Sequence, residues 1–176
     1  TQFNTLMDSL QLALPAIEKL PADHIPNRNY AIVTLHRFEN FRDFASTLKI
    51  VEAVEHVAKS QFLVFILHKP TEQNLKKFDL FERLRRNINI EFRHRYDYFQ
   101  FIKLVLGAHF LVSDGGSNQE ECYYLGKPVL LLRNVTERQE GIGSNAVVSG
   151  FETRRIDEFL KNIESFRHRM VRLDYS

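Results

Sequence analysis

Apolar side chains recur along this chain with two different spacings, and the alternation between them is the first structural signal. From residue 3 to residue 20, Phe3, Leu6, Met7, Leu10, Leu14, Ile17 and Leu20 are mostly three or four apart, which predicts an amphipathic helix that Pro15 ends or kinks. A polar link from Pro21 to Asn29 follows. Tyr30–Leu35 is then an unbroken apolar run with β-branched members, the pattern of a buried strand. Helical spacing returns over Phe41–Ser60, carried by Phe44, Leu48, Val51, Val54 and Val57. The same alternation predicts strands at Phe62–Leu67, Ile88–Phe92, His109–Ser113 and Pro128–Leu132, and a short one at Ala146–Ser149. Between and after them it predicts a charged helix over Thr71–Arg86, helices at Tyr98–Leu106 and Asn118–Leu125, a helical start at Glu137–Gly143 and a last helix over Ile156–Met170.

Strands that alternate with helices, and that are apolar throughout instead of at every second residue, belong in a parallel sheet covered on both faces. The expected fold class is therefore α/β, a doubly wound, Rossmann-like parallel sheet. Ligands bind such sheets beyond the carboxyl ends of the strands. The informative loops are then His36–Asn40, His68–Thr71, Arg93–Asp97, Asp114–Ser117 and Arg133–Arg138.

Composition narrows this picture by exclusion. A chain of 176 residues suits one domain with a real core. A net charge of +2 gives no argument for nucleic acid, and Arg83, Arg85, Arg86, Arg93, His94 and Arg95 read as a solvated rim. Fifteen Phe and no Trp imply packing by Phe. The single Cys122 cannot form an internal disulfide and no zinc-ligand spacing exists, which fits a reducing, cytoplasmic compartment and a protein with no metal or cofactor. No apolar run is long enough to span a membrane and no leader is visible. The first residue, Thr1, falls within the first helical pattern, so a piece of a longer protein is expected.

Each loop has a bland and a chemical reading. His36, Arg37 and Glu39 follow a strand directly; they can solvate its end, or hold a phosphate-binding loop in place. His68 is either a structural hydrogen-bonder or a functional group at a strand's carboxyl end. Ser113-Asp114-Gly115-Gly116-Ser117-Asn118-Gln119-Glu120-Glu121 is strand, two glycines, then helix. That order presents backbone N–H groups and the helix dipole to an anion. It matches neither a dinucleotide fingerprint nor a P-loop. Ser117 and Glu120 also have the spacing of a capping box, which leaves Glu121 as a spare carboxylate able to accept from both hydroxyls of a ribose. Arg138 can reach a diphosphate or be a plain surface arginine.

Taken together, the loops resemble the non-hydrolysing UDP-N-acetylglucosamine 2-epimerase family. The matching stretches are Val33-Thr34-Leu35-His36-Arg37-Phe38-Glu39-Asn40, Asp114-Gly115-Gly116-Ser117-Asn118-Gln119-Glu120-Glu121, Leu125-Gly126-Lys127-Pro128-Val129-Leu130 and Thr136-Glu137-Arg138. Asn4-Thr5-Leu6-Met7-Asp8 looks like the start of the family's second half, and Tyr98 with Phe101 like an aromatic pair upstream of the glycine turn. The resemblance implies that residues 1–176 are the C-terminal, UDP-binding half of a GT-B-like two-domain enzyme. It implies that Gly115, Gly116 and Ser117 hold the diphosphate, Glu121 the ribose and Phe101 the uracil through its backbone, with Arg138 beside the phosphates. His68 is implied near the diphosphate as a residue important for activity.

The implied reaction is an isomerisation, UDP-GlcNAc to UDP-ManNAc, by elimination of UDP and its re-addition to the other face of a 2-acetamidoglucal, in service of cell-surface polysaccharides. The acid and base acting on the sugar are implied in the N-terminal domain, so the chain alone is expected to be inactive. The implied partners are the UDP-sugar, that domain and optionally a second copy. A hydrolysing 2-epimerase, the donor domain of a GT-B glycosyltransferase and a non-catalytic sugar-nucleotide module remain alternatives. The departures from the family pattern are a serine moved two places, to Ser117, Gln139 in place of the usual Pro, Lys69-Pro70 after His68, the bulky pair Tyr123 and Tyr124, and the lack of a Tyr-Gly-Asp-Gly segment before Ser176.

Overall fold

The computed structural model describes residues 5–171. Phe3 and Asn4, which open the predicted first helix and the family-like segment, lie outside them. The strands are β1 (Ala31–Thr34), β2 (Leu63–Leu67), β3 (Ile90–His94), β4 (Leu111–Ser113), β5 (Val129–Leu131) and β6 (Ala146–Val148). The helices are α1 (Thr5–Glu18), α2 (Phe44–Ala58), α3 (Lys69–Lys77), α4 (Phe81–Arg85), α5 (Tyr98–Gly107), α6 (Gly116–Leu125) and α7 (Thr153–Lys161).

All six strands pair in parallel, in the order β3-β2-β1-β4-β5-β6. Side chains alternate across the sheet, as the period of two requires. Ala31, Val33, Leu63, Phe65, Phe110, Val112 and Leu130 face one core with α2, α3, α4 and α7. Ile32, Val64, Ile66, Leu111, Val129 and Leu131 face the other with α1, α5 and α6. Burial on both faces is why the strands read as unbroken apolar runs. The surplus of Phe is spent mainly in the first core, where Phe110 meets Phe159 edge-on at 5.3 Å and Phe65 meets Phe92 at 5.2 Å. Such pairs add about 0.5–1.5 kcal/mol each beyond area burial.

Several predicted elements change. Pro15 does not end α1, which runs on to Glu18. The helix predicted over Phe41–Ser60 is a 3-10 turn at Phe38–Phe41 followed by α2, whose start is fixed by the Asp43 carboxylate accepting from the Ser46 N–H at 2.8 Å. The charged helix over Thr71–Arg86 is two helices, parted at Asp79, which takes a left-handed φ of 58°. No helix forms at Glu137–Gly143. Gly141 and Gly143 adopt φ near 79° and 78°, and the Gln119 side chain claims the carbonyls of Arg138 and Glu140 that a helix would have used. The last helix stops at Lys161, before a 3-10 turn at Ile163–Phe166, and residues 168–171 run on as a strap over α6. The third strand starts at Ile90; Ile88 is 91% exposed.

Among the described residues no helix is long and apolar enough to cross a membrane.

Candidate functional site

The strand order reverses between β1 and β4, which are neighbours in the sheet but are followed by crossovers in opposite directions. Their outgoing loops therefore part and leave a crevice at the carboxyl edge. Asp114, fully buried just past β4, organises it. Its carboxylate accepts from the N–H of His36 at 3.0 Å, the N–H of Arg37 at 2.9 Å and the side-chain amide of Asn40 at 2.9 Å. The loop after β1 thus hangs on a residue 78 positions away. The loop-supporting role expected of His36, Arg37 and Glu39 is divided differently. Arg37 pairs with Glu137 at 2.8 Å, while Glu39 is exposed and, among the described residues, makes no hydrogen bond or ion pair.

The glycine turn opens α6. Gly115 is the N-cap and donates its N–H to the Ser113 hydroxyl at 3.0 Å; that hydroxyl donates to Asn118 Oδ1 at 3.1 Å. The first intrahelical bond runs from the Gln119 N–H to the Gly115 carbonyl at 3.2 Å. The N–H groups of Gly116, Ser117 and Asn118 precede it and have no acceptor within the helix. The expected capping box does not form. The helix starts two residues earlier than the apolar pattern suggested, so Ser117 is already helical and cannot serve as the cap. Glu120 turns instead to Arg138 at 2.7 Å and receives the Tyr124 hydroxyl at 3.1 Å. Both glycines are needed for close approach. A Cβ on Gly115 would stand 2.9 Å from the His36 ring, and one on Gly116 3.2 Å from Arg138 Cγ.

In front of the turn lies a cleft of about 390 Å³, lined among others by His36, His68, Arg95, Phe101, Ser117 and Glu121. His68 stacks on His36 with ring centres 4.9 Å apart, and its Nε2 lies 3.1 Å from the Thr34 hydroxyl. Burial, helped by the charges of His36 and Arg95, pushes the His68 pKa down to about 4, which keeps its imidazole neutral. Glu121 stands on the facing wall, 6% exposed, holding the Asn118 amide at 3.1 Å. Burial raises its carboxyl to about 7, against the opposing pull of Asn118 and the Tyr98 hydroxyl. Spacing of three along α6 puts Asn118 and Glu121 on one face of the helix.

The other face of α6 holds the loop after β5. Gln119, fully buried, donates to the carbonyls of Arg138 at 3.2 Å and Glu140 at 2.8 Å, and accepts from the Thr136 hydroxyl at 2.7 Å. That clamp and the Glu120 ion pair seat Arg138 over Gly116. The fold so gathers His36, His68, Phe101, Ser117 and Glu121 around one cleft, with Gly115, Gly116 and Arg138 adjoining it. Sequence reasoning missed Asn118, Gln119 and Arg95 as site residues, and the anchoring roles of Asp114 and Glu120. The helical spacing of Asn118 from Glu121 was a usable signal. Nothing in the sequence pairs Asp114 with the loop after β1.

A larger hollow of about 490 Å³ between α2 and residues 150–156 mixes Lys49 and Lys59 with Glu52 and Glu55. Among the described residues no cluster of His, Cys, Asp or Glu could hold a metal ion. Cys122 is buried and its thiol is pushed well above the usual range, which makes it a packing residue.

Comparison with known proteins bears on the family and the fold. The family model described as UDP-N-acetylglucosamine 2-epimerase matches residues 4–174. The chain is 31% identical to a UDP-N-acetylglucosamine 2-epimerase of Methanococcus maripaludis over 146 residues, which cover 81% of this chain and 40% of that protein. Its fold is similar, at a TM-score of 0.85 and 27% identity, to a crystal structure of the Methanocaldococcus jannaschii UDP-GlcNAc 2-epimerase in complex with UDP-GlcNAc and UDP, covering 91% of this chain and 46% of that one. The Neisseria meningitidis enzyme bound to UDP-GlcNAc is similar at a TM-score of 0.79 and 27% identity, with 94% and 49% covered. The chain therefore spans less than half the length of each of these proteins.

Proposed function

The chain belongs to the UDP-N-acetylglucosamine 2-epimerase family, and from that premise we propose that it is the UDP-binding, C-terminal domain of an enzyme that interconverts UDP-GlcNAc and UDP-ManNAc. One observation carries this assignment: Ser117 and Asn118, whose N–H groups have no acceptor within α6, and the buried Glu121 line the same cleft, about one helical turn apart. An anion seat beside a carboxylate that can accept two hydroxyls suits the diphosphate and ribose of a nucleoside diphosphate. Phe101, on the wall of the same cleft, supplies the edge for the base.

The chemistry asked of this domain is to stabilise a leaving group. Elimination breaks the bond between the sugar's C1 and the diphosphate oxygen as a proton leaves C2, and negative charge gathers on UDP. Preorganised N–H donors at Gly116, Ser117 and Asn118 meet that charge without reorganising, the kind of term that dominates many rate enhancements. The second product, the 2-acetamidoglucal, takes UDP back after a proton reaches the other face of C2. His68 is neutral before the ligand arrives. A diphosphate beside it favours the imidazolium and lets it shed a proton toward the leaving oxygen. The groups that move the C2 proton belong to the other domain, so the isolated chain is expected to turn nothing over.

Calorimetry tests the assignment. UDP is expected to bind the chain, and Glu121→Ala to weaken it while leaving inorganic pyrophosphate binding unchanged. No heat with UDP at millimolar concentration, for both this chain and the full-length protein, overturns it.

A further inference from the structure

Arg138, the arginine expected beside the diphosphate, and Arg37, expected to support the phosphate-binding loop, each already pair with a carboxylate. Arg37 Nη2 lies 2.8 Å from Glu137, which also receives Arg133, and Arg138 Nη1 lies 2.7 Å from the buried Glu120. Arg95 differs. It lines the cleft with His68, Ser117 and Asn118, it is exposed, and among the described residues it makes no hydrogen bond or ion pair. Its place follows from strand register. Leu67 at the end of β2 pairs with His94 at the end of β3, so His68 and Arg95, one residue further on, emerge side by side. The charge of Arg95 is felt at His68, where it disfavours the imidazolium.

We propose that Arg95 is a diphosphate-binding residue, and that it supplies the seat with the positive charge that Arg37 and Arg138 have already given to carboxylates. This rests on the UDP-binding assignment above. An exposed guanidinium with no carboxylate to leave loses little on turning to a phosphate, and its planar fork matches two oxygens at once. Arg138 spends Nη1 on the Glu120 carboxylate, so its charge is already balanced there even though its other donors stay open. The arrangement also gives His68 a second partner in ligand binding. Once Arg95 is neutralised by phosphate, the repulsion that holds the imidazole neutral is relieved.

Titrations of the chain with UDP, UMP and uridine, followed by NMR, separate the possibilities. Arg95→Ala is expected to weaken UDP about tenfold or more, the scale of one lost charge-assisted contact, with uridine unchanged within about twofold. Arg95→Lys should recover part of the loss, and the salt dependence of UDP binding should flatten in Arg95→Ala. In the unliganded chain, the His68 pKa should rise in Arg95→Ala. Equal losses for UDP and uridine, or no loss for UDP, overturn the inference while the UDP assignment stands. Failure of the unaltered chain to bind UDP overturns both.

Discussion

Arg138 and Glu120 form an ion pair of 2.7 Å that ties the loop after β5 to α6, and its acidic partner is only 2% exposed. Removing one member of a buried pair costs about 3–5 kcal/mol, and the exposure of Arg138 brings that to roughly 1–2 kcal/mol. Arg138→Ala is expected to lower the unfolding free energy by about that amount in urea, with Arg138→Lys between the two. An unchanged urea midpoint would show that the pair contributes nothing.

Gln119 holds the same loop by three hydrogen bonds from a fully buried amide. Gln119→Leu keeps the bulk and removes the clamp. Amide hydrogen exchange at residues 136–140 should speed up by an order of magnitude or more, roughly the value of one or two lost bonds. Exchange as slow as in the unaltered chain would mean that backbone bonds alone order the loop.

Glu121 makes stability depend on pH in an unusual direction. Its carboxyl is raised in the fold, from 4.5 to about 7, because burial penalises the charged form. The folded state therefore binds more protons than the unfolded one between those values. Glu121 contributes fully below pH 4.5, and the contribution is lost as pH rises through about 7. Glu121→Gln, neutral throughout, should show a flatter stability profile between pH 4.5 and 7 than the unaltered chain. Parallel profiles would contradict this.

The His68 ring is the place to watch ligand binding. Burial holds its pKa near 4, so without UDP its NMR shifts should stay constant from pH 5.5 upward. Saturating UDP should move the titration upward by at least a unit, since a neighbouring anion favours the imidazolium. No movement would remove His68 from the proton transfer assigned to it.

Lys127 is buried to 8% exposure, and its ammonium donates to the carbonyls of Leu106 at 2.7 Å and Ala108 at 2.6 Å. It closes the end of α5, where carbonyls lack helical partners. Lys127→Met should cost roughly 1–3 kcal/mol of stability and leave UDP affinity unaltered. A selective loss of affinity would mean that the segment Leu125–Leu130 serves the ligand directly.

The architecture was legible because its signals are local. Apolar runs such as Tyr30–Leu35 and Phe62–Leu67 mark buried strands, and two-sided burial follows from their continuity. Element ends were less legible where one residue decides them. Asp79 breaks a helix by a left-handed φ, and Gly141 and Gly143 prevent one, although their neighbours have ordinary helical character. The site was half legible. Glu121 and the two glycines stand in one stretch of chain. The bonds of Asp114 to His36 and of Glu120 to Arg138 join residues 78 and 18 positions apart, and no pattern of spacing encodes them. Ser117 was misread because a capping box is defined by a helix start, and the apolar pattern put that start two residues late.

The strap at residues 168–171 has a consequence for how ligand binding can be followed. Gly126, at a left-handed φ of 67°, ends α6; its carbonyl accepts from the His168 N–H, and the Tyr124 carbonyl accepts from Val171. A Cβ at Gly126 would collide with the His168 carbonyl oxygen, so the strap lies directly on the helix end. With ten residues at about 1.5 Å each, α6 is a rod of roughly 15 Å. One tip opens on the cleft proposed for the diphosphate and the other bears on the strap. A small axial displacement of the rod on ligation would be delivered to a surface segment well away from the cleft. A dye placed on the exposed edge of that segment would act as a distant gauge of occupancy without touching the ligand.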